Sequence, residues 1–178
     1  MNFIKKNIKN LYEIKNKCFT DNRGEFIKLY SKDLYDNEQI SLNIEEIYFS
    51  KSYKNVIRGM HFQTPPYDHD KLVYVTEGVI LDVILDLRYN SKTFKHFEII
   101  EISQNQNAVL IPKGCAHGFL TMSNTATVVY NVSSVYNQQF DDGILWNSFG
   151  FHWPVENPIL SNRDQSFKRL VEYTTPFF

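Results

Sequence analysis

Short runs of β-prone residues, separated by turn residues, dominate the chain from about residue 23 to residue 133. The run over residues 79–88 has the clearest pattern, because apolar and polar positions alternate along it. One face carries Val79, Leu81, Val83, Leu85 and Leu87, and the other carries Asp82, Asp86 and Arg88. A period of two is typical of a strand with one face in a core. We therefore predict a strand here with one buried and one polar face.

The same pattern predicts further strands at 26–30, 44–50, 71–75, 96–102, 108–111 and 126–133. Turn signals such as Pro65-Pro66, Glu77-Gly78 and Pro112-Lys113-Gly114 separate these runs. A helix is predicted only late in the chain, over residues 165–172. Because helices do not alternate with the strands, the pattern favours an all-β sandwich or closed barrel. Without repeats or linkers, we expect residues 1–178 to form a single domain.

Composition excludes several classes of function. The formal net charge of -1 gives no sign of a nucleic-acid-binding surface. No stretch approaches the roughly 20 apolar residues that a membrane span needs, and the basic N-terminus lacks the apolar block of a secretory signal. Cys18 and Cys115 are far apart and show no metal-ligand spacing. We expect a cytoplasmic protein with reduced thiols and no membrane or nucleic-acid partner.

Residues 58–63, Arg-Gly-Met-His-Phe-Gln, are the first candidate for chemistry. On a strand, His61 and Gln63 face one way while Met60 and Phe62 face the other. A single histidine in such a place is more often structural than catalytic. Lys71, taken alone, is interpreted as a lysine at a strand edge in solvent.

Residues 112–117 have the Pro-x-Gly-x-x-His form of the second cupin motif, which ends at His117. In metal cupins this histidine joins a His-x-His pair and a glutamate. His-x-His does not occur in this chain, and a stable metal site requires three or four converging ligands. We therefore expect no metal.

Two later residues are equally ambiguous by themselves. Tyr130 shares a strand face with Val128 and Val132, which favours a core tyrosine with its hydroxyl at a rim. Asp164 precedes the predicted late helix, where an aspartate is usually a turn or N-cap residue.

Considered together, these segments carry a resemblance that covers roughly Asp21 to Asp164. Their order and spacing resemble those of nucleotide-sugar 3,5-epimerases of the dTDP-4-dehydrorhamnose 3,5-epimerase type. The matching segments are residues 58–63, Lys71-Leu72-Val73, 82–88, 91–94, 111–119, Tyr130, Trp146, Trp153-Pro154 and 161–164. The resemblance implies a cupin-like jelly-roll β-barrel with a few short peripheral helices. It also implies catalysis without a cofactor or metal.

The resemblance assigns roles to four catalytic candidates. His61 matches the base and Asp164 its carboxylate partner, which fixes the tautomer and stabilises the charged ring. Lys71 matches the lysine that stabilises the enolate formed on deprotonation. Tyr130 matches the acid that reprotonates carbon from the opposite face.

The resemblance also implies a substrate-binding set and a homodimer. Arg58 and His117 match positions that line the sugar and phosphate pocket. Arg23 matches an arginine that crosses a dimer interface to reach the nucleotide. The remaining candidates for substrate binding are Glu46, Gln63, Tyr136 and Arg163.

Two departures from the family pattern concern the nucleotide. The family's Arg-Gly-Phe-Phe-x-Glu ends here at Lys28, and its Gln-x-Asn-x-Ser-x-Ser begins here with Glu46. A carboxylate at Glu46 can accept hydrogen bonds from N1–H and the 2-amino group of guanine, groups that thymine lacks. These changes favour a GDP-linked 4-keto hexose or heptose. The alternative is that these positions have changed by neutral drift in a protein that still binds a dTDP-linked sugar.

The expected function is epimerisation at C3 and C5 of a nucleoside-diphosphate 4-keto-6-deoxy sugar, in surface-polysaccharide biosynthesis. A C3-only epimerase with the same His61 and Tyr130 is the second interpretation. A metal-dependent cupin isomerase or dioxygenase is the third interpretation, and a non-catalytic sugar-binding cupin is the fourth. The missing His-x-His pair argues against a metal-dependent cupin, and the paired acid and base argue against a protein that only binds sugar.

Overall fold

Thirteen strands and two short helices make up the computed structural model, which describes residues 1–178. The strands are β1 (Asn2–Lys5), β2 (Tyr12–Lys15), β3 (Lys17–Asp21), β4 (Gly24–Lys28), β5 (Glu46–Tyr53), β6 (Ile57–Gln63), β7 (Lys71–Glu77), β8 (Val79–Asp86), β9 (Phe97–Ser103), β10 (Asn107–Ile111), β11 (Cys115–Thr121), β12 (Thr125–Val132) and β13 (Asp141–Gly143). The helices are α1 (Lys32–Asn37) and α2 (Asn162–Ser166), followed by a 3-10 turn at Leu170–Glu172. Neither helix is long and apolar enough to cross a membrane.

The strands form two antiparallel sheets and one separate hairpin. The six-stranded sheet has the order β1-β2-β10-β7-β12-β5, and the five-stranded sheet has the order β13-β6-β11-β8-β9. Strands β3 and β4 pair only with each other. The expectation of an all-β, cupin-like jelly-roll barrel with a few short helices is confirmed.

Apolar residues fill the interior of the barrel, and further apolar clusters cover the outer face of each sheet. The central core between the sheets includes Val73, Ile84 and Phe119. A second core lies on the outer face of the five-stranded sheet, where the C-terminal segment covers it with Trp153 and Leu170. A third core lies on the outer face of the six-stranded sheet. Because full burial of one large apolar side chain contributes about 1.5–3 kcal/mol, these three layers hold the strands together.

The prediction that β8 has one polar face is wrong. Val83 and Leu85 belong to the outer core, but Ile80 and Ile84 also lie buried between the sheets. Asp82, on the inner face with Ile84, is fully buried, as is Asp86. The C-terminal segment covers the face that would otherwise meet solvent. Arg88 donates to Asp86, and His117 pairs with Asp82 Oδ1, while Asp82 Oδ2 has no hydrogen-bond partner in the protein. Period-two polarity therefore does not mark an exposed face here.

The later strand predictions are confirmed within a few residues, whereas the N-terminal part differs. Strands β1 to β3 begin before residue 23, and helix α1 was not predicted. These strands have only four or five residues and few buried positions, so they lack a clear alternation. The predicted helix over 165–172 is broken, because Phe167 and Arg169 have extended backbone and Lys168 O accepts a hydrogen bond from Leu145 N at 2.9 Å.

Candidate active site

Two contiguous cavities open beside the ends of β6 and β7, and both are lined by Tyr48, His61 and Lys71. The outer cavity has a volume of about 310 Å³ and the inner cavity about 160 Å³. Glu46, Gln63, His69, Tyr136, Asp141 and Arg163 also line the outer cavity. Ser50, Arg58, His117, Phe119 and Tyr130 also line the inner cavity. The fold thus gathers most of the predicted site residues into one cleft.

A glycine bulge in β6 turns Arg58 and His61 towards the same cleft. Simple alternation would place these two residues on opposite faces, but the pairing of β6 with β11 shifts by one residue between them. Gly59 has φ +136°, and a Cβ atom there would lie 2.5 Å from the Gly118 Cα. Only glycine combines that backbone conformation with so close an approach of two strands.

His61 is paired with Asp164. Its Nε2 lies 2.8 Å from Asp164 Oδ1, and Asp164 Oδ2 accepts a hydrogen bond from Gly59 N at 3.1 Å. Burial raises the pKa of Asp164, but the bonds from His61 and Gly59 outweigh this effect and hold it below its usual value. The ionised carboxylate therefore accepts from Nε2–H, which leaves Nδ1 of the neutral ring free to take up a proton.

The interpretation of Asp164 as an N-cap is corrected by the geometry of α2. Ser161 is the N-cap residue, and its hydroxyl accepts a hydrogen bond from Asp164 N at 3.1 Å. Asp164 is the third residue of the helix and is only 3% exposed. The cap thus orients the first turn so that the Asp164 carboxylate points at His61.

The interpretation of Lys71 as a strand-edge lysine in solvent is wrong. β7 lies between β10 and β12, and Lys71 is 6% exposed, with Nζ donating to His61 O at 3.2 Å. Burial lowers the pKa of Lys71 to about 8, although Asp141 and Asp82 oppose the shift. No carboxylate lies within ion-pair distance of Nζ. Because no carboxylate neutralises its charge, the Lys71 ammonium can stabilise a developing oxyanion in the cleft.

Tyr130 enters the cleft from the six-stranded sheet, whereas His61 enters it from the five-stranded sheet. The Tyr130 ring stacks on Tyr48 with centroids 4.8 Å apart, and its hydroxyl lies 3.3 Å from Ser50 Oγ. Burial raises the pKa of Tyr130 well above its usual value, so the phenol is neutral. The residue is part of the core, as the sequence pattern predicts, and it also lines the inner cavity.

A second buried histidine–carboxylate pair lies deeper in the barrel. His117 Nε2 is 2.6 Å from Asp82 Oδ1, and both side chains are nearly inaccessible. Sequence reasoning missed this pair because alternation assigned Asp82 to an exposed face. No group of three or more His, Cys, Asp or Glu side chains converges in a way that could hold a metal ion.

Hydrogen bonds tie the segment 134–137 to the outer cavity. Glu46 Oε2 accepts from Tyr136 N at 2.7 Å, and Gln63 Oε1 accepts from Asn137 N at 2.6 Å. Asp141, which sequence reasoning missed, accepts from Arg163 Nη2 at 2.6 Å and from the Tyr136 hydroxyl at 3.2 Å. Glu46, Gln63 and Asp141 therefore shape the cavity by holding its rim.

Two arginines differ in their relation to the cleft. Arg58 donates from Nε to Ser52 Oγ at 2.8 Å and from Nη2 to Lys51 O at 3.4 Å, which leaves donors for an anion. Arg23 lies at the turn between β3 and β4, outside both cavities. Its side chain is 85% exposed and pairs with Asp21. A single chain therefore does not bring Arg23 into the site.

Nearly the whole chain is similar to known nucleotide-sugar epimerases. Residues 5–172 match the model of the family described as dTDP-4-dehydrorhamnose 3,5-epimerase. A relative of that name from Shigella flexneri is 36% identical over 177 residues, 97% of each chain. A dTDP-4-dehydrorhamnose 3-epimerase from Streptomyces niveus is 32% identical over 170 residues, which cover 93% of this chain and 82% of the relative.

Solved structures of such enzymes have the same fold. The Bacillus anthracis dTDP-4-dehydrorhamnose 3,5-epimerase, with TDP and PPi bound, gives a TM-score of 0.92 at 36% identity, covering 95% of this chain and 99% of that one. The Legionella pneumophila dTDP-6-deoxy-D-glucose-3,5-epimerase, in complex with dTDP-4-keto-L-rhamnose, gives a TM-score of 0.93 at 30% identity. The match covers 99% of this chain and 98% of that one.

Replacement of Asp164 by asparagine should lower the pKa of His61. Burial already lowers this pKa, and the Asp164 carboxylate opposes the shift by stabilising the charged ring. The neutral amide of Asp164→Asn removes that opposing effect, so His61 should protonate only at a lower pH than in the unmodified protein. An NMR titration of the ring protons measures the change.

Backbone amide spectra of the two proteins, recorded on the same samples, are the control and should coincide away from residues 61 and 164. An unchanged or raised pKa of His61 in the variant would show that Asp164 does not act on the ring as its geometry implies.

Proposed function

The chain belongs to the dTDP-4-dehydrorhamnose 3,5-epimerase family of nucleotide-sugar epimerases, and on this basis we propose that it inverts C3 and C5 of a nucleoside-diphosphate 4-keto-6-deoxy sugar. The product supplies surface-polysaccharide biosynthesis. The C4 ketone of such a sugar acidifies both neighbouring carbons, so the reaction needs a base, an acid and stabilisation of an enolate. Side chains suited to all three tasks line the cleft.

One observation carries this proposal: a basic and an acidic group enter one cleft from opposite sheets. Inversion requires that one group remove a proton from one face and that a different group deliver a proton to the other. His61, neutral and with Nδ1 free, is the base on the five-stranded sheet. Tyr130, a neutral phenol on the six-stranded sheet, is the acid.

Lys71 and Asp164 support the two charges that develop during proton removal. As His61 takes a proton, its ring becomes cationic, and Asp164 at 2.8 Å stabilises that charge. As the carbon loses its proton, negative charge moves to the C4 oxygen, and the unpaired Lys71 ammonium stabilises it. Arg58, with free guanidinium donors, binds the diphosphate, and His117, held by Asp82, lines the wall of the sugar pocket.

A C3-only reaction is the second candidate. It needs the same His61 and Tyr130 and omits only the second proton exchange at C5. The observation in its favour is the similarity to the Streptomyces niveus protein, a 3-epimerase by name.

For the nucleotide we propose thymidine diphosphate, with guanosine diphosphate as the second candidate. The relatives and the two solved structures are named for dTDP sugars. Glu46 lines the outer cavity, but its Oε2 is already engaged by Tyr136 N, which leaves Oε1 as the oxygen without a hydrogen bond. Guanine recognition by one carboxylate is best with both oxygens open, so this bond weakens the argument from Glu46 for GDP.

We further propose that the protein works as a homodimer. The β3–β4 hairpin stands apart from both sheets, and it exposes 50% of Phe19 and 63% of Phe26. Edge strand β5, which borders the cleft, exposes 62% of Ile47 and 70% of Phe49. Apolar surface of this kind, on a hairpin and on a sheet edge, favours association with a second copy, which would carry Arg23 to the partner's cleft.

Substitutions of His61 and Tyr130 should separate the two halves of the chemistry. With a 4-keto nucleotide sugar in deuterium oxide, His61→Asn should abolish deuterium incorporation at C3 and C5. Tyr130→Phe should still exchange deuterium, because His61 and Lys71 remain, but product should form about 10²–10⁴-fold more slowly. NMR of both carbons measures exchange and inversion, and inversion confined to C3 would support the second candidate.

Tyr173→Phe is the matched control for the loss of a phenol hydroxyl. Tyr173 donates to Asp142 outside the cleft, so its variant should lose about 1 kcal/mol of stability and keep its turnover. If Tyr130→Phe behaved in the same way, Tyr130 would be a core residue and another group would be the acid.

The nucleotide preference is measured by calorimetry with dTDP and GDP. We expect the unmodified protein to bind dTDP more tightly, and we expect Glu46→Gln to leave this order unchanged. Glu45→Gln, at the exposed neighbouring position, is the control. Tighter binding of GDP, lost in Glu46→Gln but kept in Glu45→Gln, would establish the guanine nucleotide instead.

Light scattering should give a mass twice that of the 21.0 kDa chain. Phe26→Asp places a charge on the apolar face of the hairpin and should shift the equilibrium towards monomer and weaken nucleotide binding. Val171→Asp changes another exposed apolar residue, away from the hairpin, and should remain dimeric. A fully active monomer of the unmodified protein would contradict the proposed role of Arg23.

A further inference from the structure

The hydroxyl of Tyr130 has a single hydrogen-bonding neighbour in the protein, the hydroxyl of Ser50. Their oxygens are 3.3 Å apart, and this is also the only hydrogen bond of the Ser50 side chain. Tyr130 is 8% exposed, and its ring is covered on one face by Tyr48. Ser50 is therefore the one protein group already hydrogen-bonded to the phenol that can pass a proton to it.

An acid that has delivered its proton must recover one before the next turnover. If Tyr130 gives its proton to carbon, a phenolate remains in a site where burial disfavours the charged form. The phenolate cannot persist there, so the site needs a nearby proton donor. Lys71 and Arg58 line the same cavity, but neither donates a hydrogen bond to the Tyr130 oxygen.

Ser50 lies where a donor to Tyr130 can also meet water. It is on β5, the edge strand of the six-stranded sheet, and it is only partly buried. It also lines the inner cavity beside Tyr130. A serine hydroxyl donates one hydrogen bond and accepts up to two, so it can give a proton on one side while it receives one on the other.

We propose that Ser50 is a positioning and proton-relay residue, which aims the Tyr130 hydroxyl into the cleft and returns a proton to it after each turnover. The inference rests on the proposed role of Tyr130 as the acid. In the relay, the phenolate oxygen takes the proton of the Ser50 hydroxyl, and the serine oxygen takes a proton from water. The hydroxide that remains is neutralised by the proton that His61 releases, so atoms and charges balance over one cycle.

Ser52 offers a comparison on the same face of the same strand. It is two residues further along β5, is 2% exposed, and accepts a hydrogen bond from Arg58 Nε at 2.8 Å. Loss of its hydroxyl releases a substrate-binding arginine and leaves Tyr130 untouched. The two serines should therefore affect different kinetic parameters.

The test compares Ser50→Ala, Ser50→Thr and Ser52→Ala in steady-state kinetics and in deuterium oxide. Ser50→Ala should lower kcat about tenfold or more with KM nearly unchanged, as expected for an interaction that serves the chemical cycle. Deuterium exchange by His61 should continue, and the solvent isotope effect on kcat should rise, because recharging of Tyr130 becomes slow. Ser50→Thr keeps a hydroxyl and should restore kcat, whereas Ser52→Ala should mainly raise KM.

Two results would overturn the relay. Turnover by Ser50→Ala at the rate of the unmodified protein, with an unchanged isotope effect, would show that Tyr130 is recharged without Ser50. Equally slow turnover by Ser50→Thr would show that the loss comes from packing. Thermal melts of all three variants check folding. Failure of the proposed function would give a different result. The unmodified protein would then not epimerise the sugar, or Tyr130→Phe would turn over as fast as the unmodified protein.

Discussion

The close approach of β6 and β11 at Gly59 and Gly118 is the constraint on which the site depends. A Cβ atom on either glycine would meet the backbone of the other strand at 3.1 Å or less. Their contact permits the bulge that turns Arg58 and His61 to one side, and it leaves Gly59 N free to donate to Asp164. The placement of the proposed base, of its carboxylate partner and of a cationic side chain thus depends on this one close contact between two strands.

Burial between the sheets sets the protonation states of His61, Lys71 and Tyr130. The same burial that lowers the pKa of Lys71 to about 8 lowers the pKa of His61 and raises that of Tyr130. Near neutral pH the cleft therefore holds a neutral base, a neutral acid and a largely charged lysine. Such a site needs little reorganisation as charge develops, which is the main source of electrostatic catalysis in enzymes.

Sequence patterns predicted the strands well and the site unevenly. Alternation places His61 opposite Met60 and Phe62, as observed, because the outer core requires those two side chains. Alternation fails for Asp82, and the interpretation as a strand-edge lysine fails for Lys71, because their burial depends on partners and strands that are distant in sequence. Asp141 carries no local signal, and Ser50 falls on a serine of the family pattern without any local sign of its role. Both matter because the fold sets them beside Arg163 and Tyr130.

The pairing of His61 with Asp164 also has a consequence for the order of events during biosynthesis of the protein. The two residues are separated by 103 positions, and Asp164 belongs to the C-terminal segment that covers the outer face of the five-stranded sheet. A ribosome-bound chain that has completed the barrel strands still lacks the carboxylate partner of His61. The His61–Asp164 pair therefore forms only after the segment that follows the barrel strands has been made and packed, so the fold of the strands alone does not complete it.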